Sequence, residues 1–463
     1  MNTQHLQHLY LRAGFGIGYN KLSKLKSLSK TAVVSHLFSE KDSVLPLEIK
    51  LSELKKQYLE HFKNGKLLLD KKSLMALQKM SREKIQELNI AWINRLNNPQ
   101  SVLTEKMTLF WANVFVCRDT NIFHIQHYNN TLRQHALGDF RQFVKAIAKE
   151  ASMSKYLNNK QNIKQSPNEN FARELMELFT LGIGHYSEHD IKEAARAFTG
   201  WTNKLNGDFY VRVRQHDFGE KTFMGKTGNF DGDAVIDIIL EQKQCARFIC
   251  AKIYRYFINP EINTNRLEEL TSIFYKNYNI EELMRYIFNS DWFYQEENIG
   301  VKIKSPIELL AGMHQIIPFE FQKPRQLLYL QKLMGQILLN PANVAGWKGD
   351  KNWIDSNTLM LRLKLPSILL NNAVINLQEK GEFEDSFETY YNAQKNRQSY
   401  IKITKSWADF NREYGKLSTN ALKELLLVSS IDADTNMFLS NLKITNNQEF
   451  CIQLMSIPEY QLC

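Results

Sequence analysis

The sequence is poor in residues that interrupt regular structure, with only 20 Gly and 10 Pro among 463 residues. Such a chain forms few tight turns, which favours long helices over many short strands. It also has no apolar run near 18 residues, so no membrane-spanning helix is predicted. The first residues, MNTQHLQHLYLRAGFGIG, have no basic segment followed by an apolar one. No secretory signal is therefore visible, and a cytoplasmic location is expected, with export as part of a complex left open.

Cysteine and clustered charge are also scarce. The five cysteines lie at positions 117, 245, 250, 451 and 463, and no two have the C-x-x-C spacing of metal or redox sites. Buried, reduced thiols are expected, as suits the cytosol. The net charge of +10 comes from scattered lysines without a run of five like charges. Because no basic stripe with interleaved aromatics is present, nucleic acid is not expected as a partner.

Most of the chain has apolar residues at steps of three and four, which predicts helices. The stretch 206–230 differs, because alternating apolar and basic residues stand there between glycines, as in a small β-hairpin. The predicted fold is therefore mainly α, a large multi-helix body with a small β-hairpin excursion. Three regions are expected: an N-terminal helical region at 1–98, a central helical core at 99–370, and a C-terminal helical region at 371–463.

Polar chemistry is densest in the block 166–201, SPNENFARELMELFTLGIGHYSEHDIKEAARAFTGW. Capping patterns that begin at Ser166 and Ser187 predict two helices joined by a glycine-containing turn. The first helix is amphipathic, with an apolar face and a polar one. Its polar face carries Asn170, Arg173, Glu174 and Glu177.

Two interpretations of this block stay open. In the first, five side chains converge as an acid–base or metal site: Glu174, Glu177, His185, His216 and Asp217. Carboxylates three apart on a helix can reach a common divalent ion, and an imidazole adds a nitrogen ligand, so the candidate metal ligands are Glu174, Glu177 and His216. In the second, Arg173 pairs with a Glu, His185 caps a turn, and the other groups are solvated or structural. No H-E-x-x-H motif is present to favour the metal.

Candidate substrate-binding groups surround the same block, and they are Asn170, Arg173, Lys221 and Trp347. The glycines between 216 and 233 allow backbone amides to face an anion, with Lys221 assisting, whereas the alternative is a structural turn. Trp347 and Trp353 flank the loop that follows NVAGW. Exposed ring faces there would indicate a polymer or carbohydrate binder, and buried ones a core role.

Several long segments resemble a bacterial family, domain of unknown function 1800 (DUF1800). They include the block from PNENF to FTGW and, in order along the chain, LYLRAGFG, EKMTLFWANVF, TLRQHALGDF, KTFMGKTGNFDGDAVIDIIL, NPANVAGWKG and IPEYQ. The resemblance covers nearly the whole chain, and the loops are similar to those of members from the Bacteroidetes group. It implies no reaction, because the family is named for its lack of an assigned function.

The resemblance does imply a partner. Genes of the family often lie beside those of domain of unknown function 1501 (DUF1501), whose members are similar to alkaline phosphatases and sulfatases. Many relatives carry two histidines in a WHNHF-like pattern, where this sequence has Ala112 and Val114, so a metal site built on those histidines is doubtful here. Three hypotheses remain: a metal-assisted, hydrolase-like enzyme, a non-catalytic partner or assembly factor for the phosphatase-like neighbour, and a polymer or carbohydrate binder.

Overall fold

The computed structural model describes residues 1–39, 45–60, 62–63, 66–67, 70–204, 206–371, 401–442 and 444–463. The polar stretch 378–398, which the sequence predicts to be a solvated connection, lies outside these residues. By contacts the chain divides into two compact units. Unit 1 consists of Met1–Val33, Asp291–Ile337 and Lys348–Cys463, and unit 2 consists of Val34–Ser290 and Leu338–Trp347. The three regions expected from the sequence stay a prediction.

The helices of unit 2 follow one another along the chain. Before them come α1 (Thr3–Arg12) and α2 (Tyr19–Leu25) of unit 1, and α3 (Lys30–Ser39), which begins in unit 1 and ends in unit 2. Unit 2 then has α4 (Ser52–Glu60), α5 (Lys71–Asn97), α6 (Val102–Val114), α7 (Ile122–Gln134), α8 (Phe140–Ala148), α9 (Ala151–Tyr156), α10 (Asn170–Glu174), α11 (Glu188–Ala197), α12 (Gly232–Leu240), α13 (Lys243–Phe257), α14 (Thr264–Tyr275) and α15 (Ile280–Asn289). Short 3-10 turns at Asn159–Gln161 and Val213–Gln215 connect some of them.

Helix α6 forms the centre of unit 2, because nearly all of its side chains are buried. The Trp111 ring packs against Phe115, Phe140 and Phe143 at centroid distances of 5.7, 5.7 and 5.2 Å. All four rings are fully buried, and burial of each stabilises the fold by roughly 1.5–3 kcal/mol. The indole N–H of Trp111 donates to the Ala136 carbonyl at 3.0 Å, so no polar atom of this ring is left unpaired.

The strands of unit 2 are short and pair within antiparallel hairpins. They are β1 (Phe62–Lys63) with β2 (Lys66–Leu67), β3 (Trp201–Asn203) with β4 (Phe209–Val211), and β5 (Lys221–Phe223) with β6 (Lys226–Gly228). Met224 and Gly225 join β5 to β6 with φ of 47° and 78°. Two consecutive positive φ values are what a two-residue type I′ hairpin turn requires. The predicted β excursion is thus confirmed, and it begins earlier than expected, at Trp201.

Unit 1 is also mainly helical. Its later helices are α16 (Pro306–Ile316), α17 (Pro324–Leu333), α18 (Ser356–Leu370), α19 (Trp407–Tyr414), α20 (Thr419–Leu426), α21 (Ala433–Asn441) and α22 (Asn447–Met455). Its strands β7 (Phe319–Phe321) and β8 (Ile403–Lys405) pair antiparallel, and 3-10 turns occupy Asp291–Tyr294, Glu296–Asn298, Asp350–Trp353 and Pro458–Gln461. The predicted mainly α fold is confirmed. Within the described ranges, no helix is both long and apolar enough to cross a bilayer.

Candidate functional site

The predicted polar block is built around a π-helix. Helix α10 continues without a break into the π-helix Leu175–Thr180. The Thr180 hydroxyl donates to the Leu175 carbonyl at 2.6 Å, which satisfies an acceptor of the widened turn. Buried apolar residues such as Met176 and Phe179 anchor this segment, whereas Glu174 and Glu177 stay partly exposed. Short π segments within α-helices are frequent at functional sites.

The two carboxylates of this segment have different surroundings. Glu177 accepts a hydrogen bond from the Tyr186 hydroxyl at 2.8 Å. Glu174 has no hydrogen bond or ion pair with any residue that the structure describes. Burial, and then the negative charge of Glu177, raise the pKa of Glu174 above its ordinary value. A carboxyl group with a raised pKa exchanges protons closer to neutral pH, which general acid–base chemistry requires.

Tyr186, the hydrogen-bond donor to Glu177, was not identified from the sequence. Burial and the hydrogen bond to Glu177 raise the pKa of Tyr186 to about 12, so its hydroxyl stays protonated and donates to the carboxylate. This bond fixes the Glu177 side chain next to Glu174. The signal in the sequence was the position of Tyr186 in the turn that brings the second helix back toward the first.

Arg173 does not neutralise this carboxylate pair. Its guanidinium binds both carboxylate oxygens of Glu188 at 2.9 Å and one oxygen of Glu169 at 3.1 Å. This is the pairing of Arg173 with a Glu that the structural interpretation expects. Arg173 consequently ties α10 to the first turn of α11, and its candidate role in substrate binding stays a prediction.

Asp217 belongs to an ion-pair network between α11 and the β excursion. It accepts hydrogen bonds from Arg196 at 2.7 and 3.4 Å, and Arg196 also binds Glu193 at 2.9 Å. The other Glu193 oxygen accepts from the backbone N–H of Thr222 on β5 at 2.8 Å. Arg196 lowers the pKa of Asp217 through these hydrogen bonds, so this carboxylate is held ionised. The arrangement fastens the β5–β6 hairpin onto α11.

His216 and Lys221 are both buried and bond to the backbone near this network. The Nδ1 of His216 donates to the Thr199 carbonyl at 2.7 Å, and its ring meets Phe218 edge-on. The Lys221 ammonium donates to the carbonyls of Asp217 and Gly219 at 2.7 and 2.9 Å. With these bonds Lys221 closes a turn. Burial lowers the pKa of Lys221.

The remaining candidates are two exposed polar residues and two buried tryptophans, which belong to no ion-pair network among the described residues. His185 is exposed in the turn that follows the π-helix, and Asn170 is exposed at the start of α10. Trp347 is 7 % exposed and Trp353 8 %, so neither presents an open ring face for a polymer. Asn113 holds Trp347 by its backbone: the N–H donates to the Asn113 Oδ1 at 2.7 Å, and the carbonyl accepts from Nδ2 at 3.0 Å.

The candidate metal ligands do not form a cluster. Among the residues described by the structure, no group of three or more His, Cys, Asp or Glu side chains is arranged to hold a metal ion. Glu174, Glu177 and His216 therefore do not meet as a three-ligand centre. The acidic pair alone offers only oxygen donors, which suit a hard cation such as Mg²⁺ with water completing its shell.

A second polar centre, which the sequence analysis did not single out, begins at Asp119. The buried Asp119 carboxylate accepts from the Nδ1 of His124 at 3.0 Å and from Lys155 at 2.5 Å. It also accepts from the backbone amides of Thr120 and Asn121 at 2.6 and 3.0 Å. These contacts lower the pKa of Asp119 despite its burial. The spacing D-x-x-x-x-H, which runs from Asp119 into the first turn of α7, is the signal that was available in the sequence.

Three further ionisable residues, Arg118, Tyr156 and Lys160, interact electrostatically with one another or with these acidic groups. Burial raises the pKa of Tyr156, and the nearby charges of Arg118 and Glu174 shift it in opposite directions. Burial lowers the pKa of Lys160, on which the charge of Asp119 also acts. Neither Arg118 nor Lys160 has an ion pair with any described residue.

The geometry defines a class, a mainly α protein whose polar block centres on a carboxylate-bearing π-helix. A family model described as "Protein of unknown function (DUF1800)" matches residues 8–462, so the chain belongs to this family. Neither a curated protein nor a solved structure matches the chain. The Bacteroidetes-like origin and the DUF1501-type partner stay predictions.

Proposed function

We propose that the chain is a hydrolase-like enzyme and that Glu174 is its acid–base group. The observation that carries the proposal is the contrast between two neighbouring carboxylates. Glu177 accepts a hydrogen bond from the Tyr186 hydroxyl, whereas the half-buried Glu174 has a raised pKa and no hydrogen bond or ion pair with a described residue. A partly buried carboxyl group with a raised pKa is typical of acid–base catalysis.

The corresponding mechanism uses few parts. The ionised Glu174 accepts a proton from a water molecule as the water oxygen attacks the electrophilic centre of the substrate. Glu174 then returns this proton to the leaving group, so that it ends each cycle ionised. Arg118 supplies positive charge close to Tyr156, on which the charge of Glu174 also acts, and this favours a substrate that carries or develops negative charge. Where a divalent cation takes part, Glu174 and Glu177 would hold it, and it would lower the pKa of a bound water.

The test compares Glu174→Gln and Glu177→Gln with Glu220→Gln, a control at an exposed glutamate outside the pair. We expect wild type to hydrolyse at least one class in a panel of chromogenic phosphate, sulfate and carboxylate esters and glycosides. Loss of the acid–base group should lower kcat by about 10²–10⁴-fold. Equal kcat in Glu174→Gln and Glu220→Gln would refute the proposal.

Metal content separates the two forms of the mechanism. Elemental analysis of wild type and both Gln variants should show a divalent ion that is lost on either substitution if the carboxylates bind one. Retention of the same metal in both variants would remove the cation from this site. The acid–base role of Glu174 would then rest on its pKa, which carboxyl-carbon NMR measures without a substrate.

A second candidate is a non-catalytic partner or assembly factor for a phosphatase-like protein. Its support is that Asp217 and Arg173 are bound by ion pairs, to Arg196 and to Glu169 with Glu188, as a structural network would have them. Co-purification with the DUF1501-type protein tests this role. Binding that persists in Glu174→Gln, together with absence of hydrolysis by wild type, would favour it over the enzyme.

A further inference from the structure

Unit 1 buries far more positive than negative charge. Four basic residues are at most 6 % exposed: Arg12, Lys302, Lys304 and Arg362. Glu308 is the only carboxylate buried to this extent among the described residues of unit 1, and it binds Lys302 at 2.9 and 3.1 Å. Neither arginine forms an ion pair with a described carboxylate, although the charge of Glu308 acts on both and that of Asp350 acts on Arg12.

Both guanidinium groups also keep buried N–H groups without acceptors. Arg12 donates from Nη2 to the Asn298 carbonyl at 3.0 Å, but its Nε and Nη1 have no partner among the described residues. Arg362 donates to the Gln461 Oε1 at 3.1 Å and to the Lys304 carbonyl at 2.5 Å. Its Nη1 likewise has no hydrogen-bond partner among the described residues. The Nε2 of Gln461 is a fourth such atom.

All four of these atoms are hydrogen-bond donors, so the group that would satisfy them is an acceptor. Arginine does not escape burial by losing its proton, although burial lowers the pKa of Arg12 and lowers that of Arg362 to about 10. Buried charges in native proteins are paired, and an unpaired one is strongly destabilising. A water molecule could accept two hydrogen bonds but would leave the charge uncompensated.

We propose that Arg12 and Arg362 bind an oxyanion of the carboxylate or phosphate class inside unit 1. This site is separate from Glu174 and Glu177, which lie in unit 2. Two sources supply the chemistry: a free oxyanion from solution, or the α-carboxylate of residue 463 in a chain that stops there. Residue 463 is well placed, because its N–H donates to the Lys302 carbonyl at 2.8 Å and its carbonyl accepts from the Lys302 N–H at 3.2 Å. Its side chain also acts electrostatically on both arginines.

The first arm of the test measures the thermal midpoint of the full chain against phosphate concentration, with chloride keeping the ionic strength constant. A bound free anion raises the midpoint of wild type with the logarithm of phosphate concentration. Arg12→Met and Arg362→Met should abolish this rise. Arg325→Met, which removes an exposed arginine of the same unit, should leave it unchanged.

The second arm replaces the α-carboxylate of residue 463 by a carboxamide through protein semi-synthesis, which removes the charge at nearly constant size. If this carboxylate is the oxyanion, amidation lowers the midpoint in wild type and has a much smaller effect in Arg12→Met. The midpoint is then independent of phosphate. The proposal is overturned if neither phosphate nor amidation shifts the midpoint of wild type, a result that requires no variant to fold.

Discussion

Replacement of Gly346 by alanine should destabilise unit 2 more than replacement of Gly184 does. Gly346 has a φ of +81°, and an added Cβ would lie 2.3 Å from the Asn113 Oδ1 and 3.0 Å from the Val116 Cγ2. The same Asn113 amide makes both hydrogen bonds to the backbone of Trp347. The alanine methyl group therefore has to displace the side chain that fixes this loop.

The magnitude follows from two contributions. A left-handed conformation costs a residue with a Cβ about 1–2 kcal/mol. Displacement of Asn113 loses two hydrogen bonds, each worth about 1 kcal/mol. The gain from a less flexible unfolded chain, about 0.4–1 kcal/mol, offsets a part of this loss. We expect Gly346→Ala to lower the free energy of unfolding by about 3 kcal/mol.

Two other glycines separate these contributions. Gly184 has a φ of +84° with nothing within 4 Å of an added Cβ, so Gly184→Ala should show only the conformational cost of about 1–2 kcal/mol, less the same gain from the unfolded chain. Gly349 has a φ of −84° and the same open space, so Gly349→Ala should change stability by less than about 0.5 kcal/mol. Urea denaturation followed by circular dichroism gives all three values. If Gly346→Ala is no more destabilised than Gly184→Ala, the argument from Asn113 is wrong.

Three further predictions concern charge and burial. Glu105 forms an ion pair with the buried Arg133 at 2.6 Å, and Glu105→Gln removes the counter-charge of this arginine. The free energy of unfolding, measured by urea denaturation, should fall by about 3–5 kcal/mol. A loss below about 1 kcal/mol would contradict this expectation. The raised pKa of Glu174 means that the folded state binds its proton more tightly than the unfolded chain does, so wild-type stability falls as pH rises from about 4.3 through the raised value. Glu174→Gln should therefore gain stability relative to wild type over that window, and parallel pH profiles of the melting temperature would exclude the shift. All five cysteines are buried, and burial raises the pKa of Cys117, Cys245, Cys250 and Cys451. The native protein should therefore react with a chromogenic disulfide reagent only after urea exposes these thiols. Rapid labelling of the folded protein would contradict this prediction.

Local signals account for most of the fold that the sequence predicts. The capping box at Ser187 is present, with the Asp190 carboxylate accepting from the Ser187 backbone N–H at 2.9 Å. The β excursion follows from glycines and alternation, which act over a few residues. The β7–β8 pair was not predicted, because Phe319–Phe321 and Ile403–Lys405 are far apart in sequence and three residues carry little periodicity. The π-helix was missed as well, since LMELFT has the same apolar spacing as an α-helix.

The candidate site was predicted in part for the same reason. Glu174 and Glu177 were identified because a helix places residues three apart on one face. Whether His216 and Asp217 join them depends on tertiary contacts, and these assign Asp217 to Arg196 and His216 to the Thr199 carbonyl. The residue spacing within one helix does not predict an ion pair between a carboxylate and an arginine that lie on different elements.

Unit 1 consists of three separate segments of the chain, and this has a consequence during synthesis on the ribosome. Residues 34–290 emerge as one continuous stretch, and the short return at 338–347 completes unit 2 before residues 348–463 have emerged. Residues 1–33 must wait for partners in both 291–337 and 348–463. Nascent chains arrested far enough beyond position 347 for that residue to leave the exit tunnel should thus protect unit 2 from protease while leaving the leading helices open to cleavage.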